Sequence, residues 1–111
     1  MSRGTGFFAL ALGLLSSHAI AGETKVSVQL NGIGATTCAH WRSTAASRAE
    51  GTVWIFGFWS GLNYVAAASE QAQANSDEKA VITEVGKVCA ADPSQVLASA
   101  TWTAYLNLGK K

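Results

Sequence analysis

Between Glu50 and Glu70 the chain carries no charged residue, and the stretch Thr52-Val-Trp-Ile-Phe-Gly-Phe-Trp-Ser-Gly-Leu-Asn-Tyr-Val-Ala-Ala-Ala is apolar at almost every step. A run of this kind folds as a helix buried on most sides or as a helix across a bilayer. Trp54, Phe58, Leu62 (or Gly61) and Val65 recur at helical spacing, and Ile55, Trp59 and Ala66 broaden that face. The polar Thr52, Ser60, Asn63 and Ser69, together with Gly51, Gly57 and Gly61, favour the buried helix, so no stable membrane span is expected. Gly57 and Gly61 stand four apart, so one stripe lacks side chains and another backbone can come close; each glycine lowers helix propensity by about 1 kcal/mol relative to alanine.

The opening residues read as an address. Arg3 supplies a positive charge, Phe7 to Leu15 an uncharged apolar run too short for a comfortable span, and Ala19-Ile20-Ala21 a small-residue cleavage site. Residues 1–21 are therefore expected to be a removed signal peptide, leaving Gly22 to Lys111 exported to an oxidising compartment. Without Arg3 the lysines and arginines equal the acids in number, and charged residues make up only 14% of the chain, which disfavours a nucleic-acid binder. Both cysteines, Cys38 and Cys89, remain after processing. In an oxidising compartment one disulfide is the economical reading, and it would restrict the unfolded chain by roughly 4 kcal/mol. Free thiols are the rival, as are metal ligands. Cys38 and His40 could give two ligands, but a zinc site wants three or four.

Lys25 to Leu30 alternates polar and apolar residues and stops at Asn31-Gly32-Ile33-Gly34, which predicts an extended segment and a turn with no second strand to pair with it. Thr36 and Thr37 are N-cap candidates for a first helix from Cys38 to about Ala49, interrupted by Gly51 before the central helix. Asn75 with Glu78 forms a capping-box pattern for a third helix, with Val81, Ile82, Val85, Val88 and Cys89 on one face. Asp92 as N-cap and Pro93 at the first helical position predict a fourth, with a buried stripe of Leu97, Ala100 (or Thr101), Ala104 and Leu108. The fold class expected is all-α: an extended leader over 22–36, then a single four-helix domain over 37–111 with one disulfide.

Catalytic chemistry finds little support. His40 is the only histidine after processing, and Gly57-Phe58-Trp59-Ser60-Gly61 has its glycines misplaced for a nucleophile elbow and lies in a helical pattern. The carboxylates are scattered, and no phosphate loop follows a strand. No catalytic residue, metal or cofactor is expected. The four tryptophans stand out instead. Core packing accounts for most of them, yet one helix with large side chains all round cannot bury every one, and the remainder suit a protein interface. Trp54, Phe58, Trp59 and Leu62 are the candidate partner-binding residues.

The order of an export signal, Cys38-Ala39-His40-Trp41, Trp54-Ile55-Phe56-Gly57-Phe58, Val88-Cys89 and Asp92-Pro93 resembles the HdeA/HdeB-like periplasmic acid-stress chaperones over about Cys38 to Leu108. The stretch Gly57-Phe58-Trp59-Ser60-Gly61 and the late proline-started helix are also similar to exported immunity proteins against type VI secretion amidases. The first resemblance implies a neutral-pH homodimer that opens in acid and shields unfolded clients, with Cys38 and Cys89 as the retained disulfide and Trp54 to Leu62 as the exposed surface. The second implies one dedicated protein partner. Below about pH 3 the protonated carboxylates would leave a net charge near +8, and self-repulsion would then favour opening. The function expected is non-enzymatic protein binding, by acid-activated holding or, alternatively, by inhibition of a single partner.

Overall fold

A computed structural model describes residues 27–110. The expected signal segment and the first part of the leader lie outside the described residues. Among the described residues four helices follow one another: α1 Cys38–Trp41, α2 Ala45–Ala68, α3 Glu78–Ala91 and α4 Leu97–Gly109, with a short 3-10 turn over Gly32–Ala35 ahead of them. No strand occurs among the described residues; the only β pairing there is an isolated antiparallel bridge between Thr37 and Val96. The chain is all-α, as the periodicity predicts, with the one disulfide expected of its two cysteines.

The first two helices divide at a different place from the one expected. The break falls at 42–44, where Thr44 accepts a hydrogen bond from Ser47 N at 3.0 Å and starts α2, and Gly51 lies inside an unbroken helix. Gly51 is a notch for a ring. Trp41 is buried against it and donates from Nε1 to the Arg48 carbonyl at 3.1 Å, and a Cβ on Gly51 would overlap Trp41 Cδ1. The absence of a side chain serves close approach here, not termination.

The fourth helix also starts later than expected. Asp92 turns its carboxylate onto Ser94 N, Gln95 N closes back on the Asp92 carbonyl, and α4 begins at Leu97 behind Val96, which offers no capping side chain. The loop has another task. Its Gln95 and Pro93 carbonyls accept the first two N–H groups of α1, from Cys38 and Ala39, each at 2.9 Å, while Leu97 N donates to the Thr36 carbonyl at 2.8 Å. Two helix starts thus satisfy each other's orphan donors across a long stretch of sequence. At α3 the cap is Asp77, whose side chain accepts from Ala80 N at 2.8 Å, two residues past the Asn75 expected.

The core forms where α2, α3 and α4 meet. Ile55 and Trp59 come from α2, Val81, Val85 and Cys89 from α3, and Leu97, Ala100, Ala104 and Tyr105 from α4. Small residues at Ala98, Ala100 and Ala104 let α4 lie close to its neighbours. Thr101, fully buried, donates from its hydroxyl to the Leu97 carbonyl at 2.9 Å, so its polar atom is not left unpaired. The Cys38–Cys89 disulfide joins α1 to α3, with both residues inaccessible to solvent.

Candidate protein-binding face

The core side of α2 is the row Gly51, Ile55 and Trp59. This is rotated by one residue from the predicted Trp54, Phe58 and Leu62 stripe, because a helix that is apolar all round does not reveal its own phase. Trp59 is only 5% exposed. Its ring meets Tyr105 edge-on at 5.0 Å between centroids, and its Nε1 donates to the Ala74 carbonyl at 3.0 Å. Ala74 is the anchor of the loop between α2 and α3. Its N–H points to Asn63 Oδ1 at 3.2 Å and to Tyr105 Oη at 3.3 Å, and the phenol donates in turn to Asn63 Oδ1 at 2.7 Å.

Trp54 is half-buried and covered from within the chain. The 3-10 turn lies over its indole: Nε1 donates to the Asn31 carbonyl at 3.0 Å, and a Cβ on Gly34 would overlap the six-membered ring. Gly32 sits there at φ +80°, a conformation that favours glycine. Phe58 stacks on Trp54 at 5.0 Å, and Leu62 packs half-buried against the core cluster. The four predicted contact residues therefore divide. Trp59 belongs to the core, Trp54 holds the leader turn, and Phe58 and Leu62 flank what remains open.

What remains open is the row the glycines mark. Val53 is 71% exposed, Val65 62% and Tyr64 76%, and an added Cβ at Gly57 or Gly61 meets nothing within 4 Å. Val53, Gly57, Gly61 and Val65 succeed one another at i+4 along the outer side of α2, so two branched side chains bracket a gap where the backbone itself is accessible. Val53 and Tyr64 escape the sequence reading, although the pair Gly57 and Gly61 signals them: a glycine that costs helix stability and receives no neighbour points outward. On α4, Trp102 and Leu106 add a second exposed apolar pair, Trp102 stacking on Tyr105 at 6.0 Å.

The glycines of α2 should respond to alanine with opposite signs. Gly57→Ala and Gly61→Ala fill open space and should each raise stability by about 1 kcal/mol, or roughly 4–8 °C in melting temperature. Gly51→Ala forces the Trp41 ring to move and should lower stability by about 1–3 kcal/mol. Thermal unfolding followed by circular dichroism reads both. A loss at Gly57 equal to that at Gly51 would show that the outer face is already packed.

Among the described residues no three His, Cys, Asp or Glu side chains gather into a group that could hold a metal ion, and no helix is long and apolar enough to cross a membrane. Compared with protein families, curated proteins and solved structures, the chain finds no match.

Proposed function

We propose that this is an exported, non-catalytic protein that binds one dedicated protein partner at neutral pH through the outer face of α2. The observation that carries the reading is the open row itself. Val53, Tyr64 and Val65 are mostly exposed beside two glycines that no part of the described chain approaches, on a helix without charge between Glu50 and Glu70. Exposed apolar patches rimmed by polar residues mark interaction sites, and bare helix backbone at a glycine pair admits a partner element at short range.

The placement of the ionisable groups favours a site that needs no acid trigger. Glu50, Glu70, Asp77, Glu78 and Asp92 are exposed and Glu84 is half-buried; the one ion pair among the described residues, Lys87 with Glu84, is long at 4.0 Å. Protonation therefore meets no buried charge network to release. Acid-activated holding is the second reading, and Trp54 supports it. Among the described residues Asn31 and the Gly32–Ala35 turn lie over the indole, and if they lifted under the positive charge gained in acid, Trp54 and the Phe58 stacked on it would join the open strip.

A tagged chain exposed to periplasmic extract at pH 7 should retain one stoichiometric protein, and Gly61→Arg, which enters open space and does not lower the melting temperature, should lose it. Full retention by that variant, or no partner at neutral pH, removes the first reading. ANS binding and light scattering from pH 7 to 2 test the second: a chain that stays closed throughout excludes it.

A further inference from the structure

We propose that the molecule has a second binding site, remote from the outer face of α2: a basic cleft between the α1–α2 junction and the end of α3 that takes an acidic peptide segment, its carboxylates pairing with Arg42 and Arg48. Arg42 from the turn after α1, Arg48 from the start of α2 and Lys87 from late in α3 line one cleft of about 370 Å³, whose wall includes Trp41 and Ile82. The two arginines also line an adjoining cleft of about 730 Å³ edged by the Ser43 and Thr44 hydroxyls. No carboxylate lines either one.

The donors of this cluster are largely unspent. Among the described residues the Arg42 guanidinium makes no hydrogen bond or ion pair, Arg48 uses only Nη2, on the Arg42 carbonyl at 3.3 Å, and Lys87 reaches Glu84 only at 4.0 Å. Glu84 is itself engaged by Asn107 Nδ2 at 3.1 Å. Each guanidinium presents five N–H groups in a planar fork that matches a carboxylate. The cleft joins the start of α2 to the end of α3; the acids nearest that end, Glu50 and Asp92, line neither cleft, and Glu70, Asp77 and Glu78 lie at the opposite end of the helix pair.

Shape selects a peptide over a bare anion. Trp41, Ile82 and Ala90 make much of the wall apolar, and a small anion on the arginines would leave that wall wet, whereas a segment alternating acidic and apolar residues answers both. Single exposed ion pairs are weak, so binding should depend on several charges acting with the apolar contact.

The test is an NMR titration of the isotope-labelled, disulfide-bonded protein with a capped hexapeptide alternating glutamate and leucine, alongside its glutamine counterpart and inorganic phosphate. The acidic peptide should give saturable shifts at Arg42, Arg48, Thr83 and Gly86, with affinity falling on the order of tenfold for the glutamine peptide and for the Arg42→Gln, Arg48→Gln variant, and falling further with added salt. The Gly61→Arg variant should titrate like the parent, which separates this site from the α2 face. Equal affinity for the two peptides overturns the proposal, as do shifts confined to the outer face of α2 from Val53 to Val65. Phosphate that saturates the same residues as tightly as the acidic peptide overturns it in favour of a bare-anion site. The peptide and salt comparisons use the unaltered protein, so they hold whether or not the arginine variant folds.

Discussion

Reducing the Cys38–Cys89 bond should lower the melting temperature by roughly 20 °C, because a cross-link over a separation of 51 residues removes about 4 kcal/mol of freedom from the unfolded chain. Domains of this size have a total stability of only about 5–15 kcal/mol, so the bond contributes a large share. The packing at both ends adds to the effect. Cys38 and Cys89 are fully enclosed, and α1 is too short to persist as a helix without its tie to α3. A Cys38→Ala, Cys89→Ala chain should show the same loss in a denaturant titration and, at 37 °C, a substantial unfolded fraction. A reduced protein melting within about 5 °C of the oxidised one would show that the helices hold without the cross-link.

Trp59→Ala should cost about 3–5 kcal/mol, the range for emptying an aromatic site in a core. The indole does two jobs: it fills the space against Tyr105 and holds the Ala74 carbonyl. The loss should therefore be local as well as global, with the 69–77 loop becoming the first site of limited proteolysis while α3 and α4 remain protected. Trp102→Ala, at a residue 46% exposed, should cost less than about 1 kcal/mol and leave the loop uncut. Similar losses at the two tryptophans would contradict the assignment of Trp59 to the core and Trp102 to the surface.

Where local pattern and tertiary packing agree, the sequence is legible. Val81, Val85 and Cys89 keep helical spacing on a helix with polar residues between them, and Leu97, Ala100 and Ala104 do the same on α4. Both stripes point inward, although Ile82 and Val88, read as part of the first, and Leu108, read as part of the second, are only half-buried. On α2 the pattern carries no phase, since large apolar residues surround the axis. Gly51 looks like a breaker and is a seat for Trp41; Trp59 looks like a surface anchor and is enclosed. Asp92-Pro93 has the chemistry of a helix start, but the Asp92 carboxylate finds Ser94 first, and the carbonyls that follow are needed by α1. These misreadings share a cause: the deciding partner lies elsewhere in the chain, where neither propensity nor periodicity reaches. The open row on α2 is not legible as open: its glycines read as a place for close packing, and no part of the described chain approaches them. The basic cleft is not legible either, because Arg42, Arg48 and Lys87 meet only after α3 has folded back.

The mutual satisfaction of the α1 and α4 starts sets an order on assembly. A nascent chain emerges from its amino end, and at that stage Cys38 and Ala39 have no acceptor for their N–H groups, and Trp41 has no settled seat until Gly51 follows. Pro93 to Leu97 must arrive before the front of the molecule can close, so contacts of high sequence separation come due together once that segment has been made. Cys38 has no Cys89 to join until α3 has followed. The disulfide is accordingly a seal on that arrangement, and its rate of formation is a clock for the return of α3 to α1.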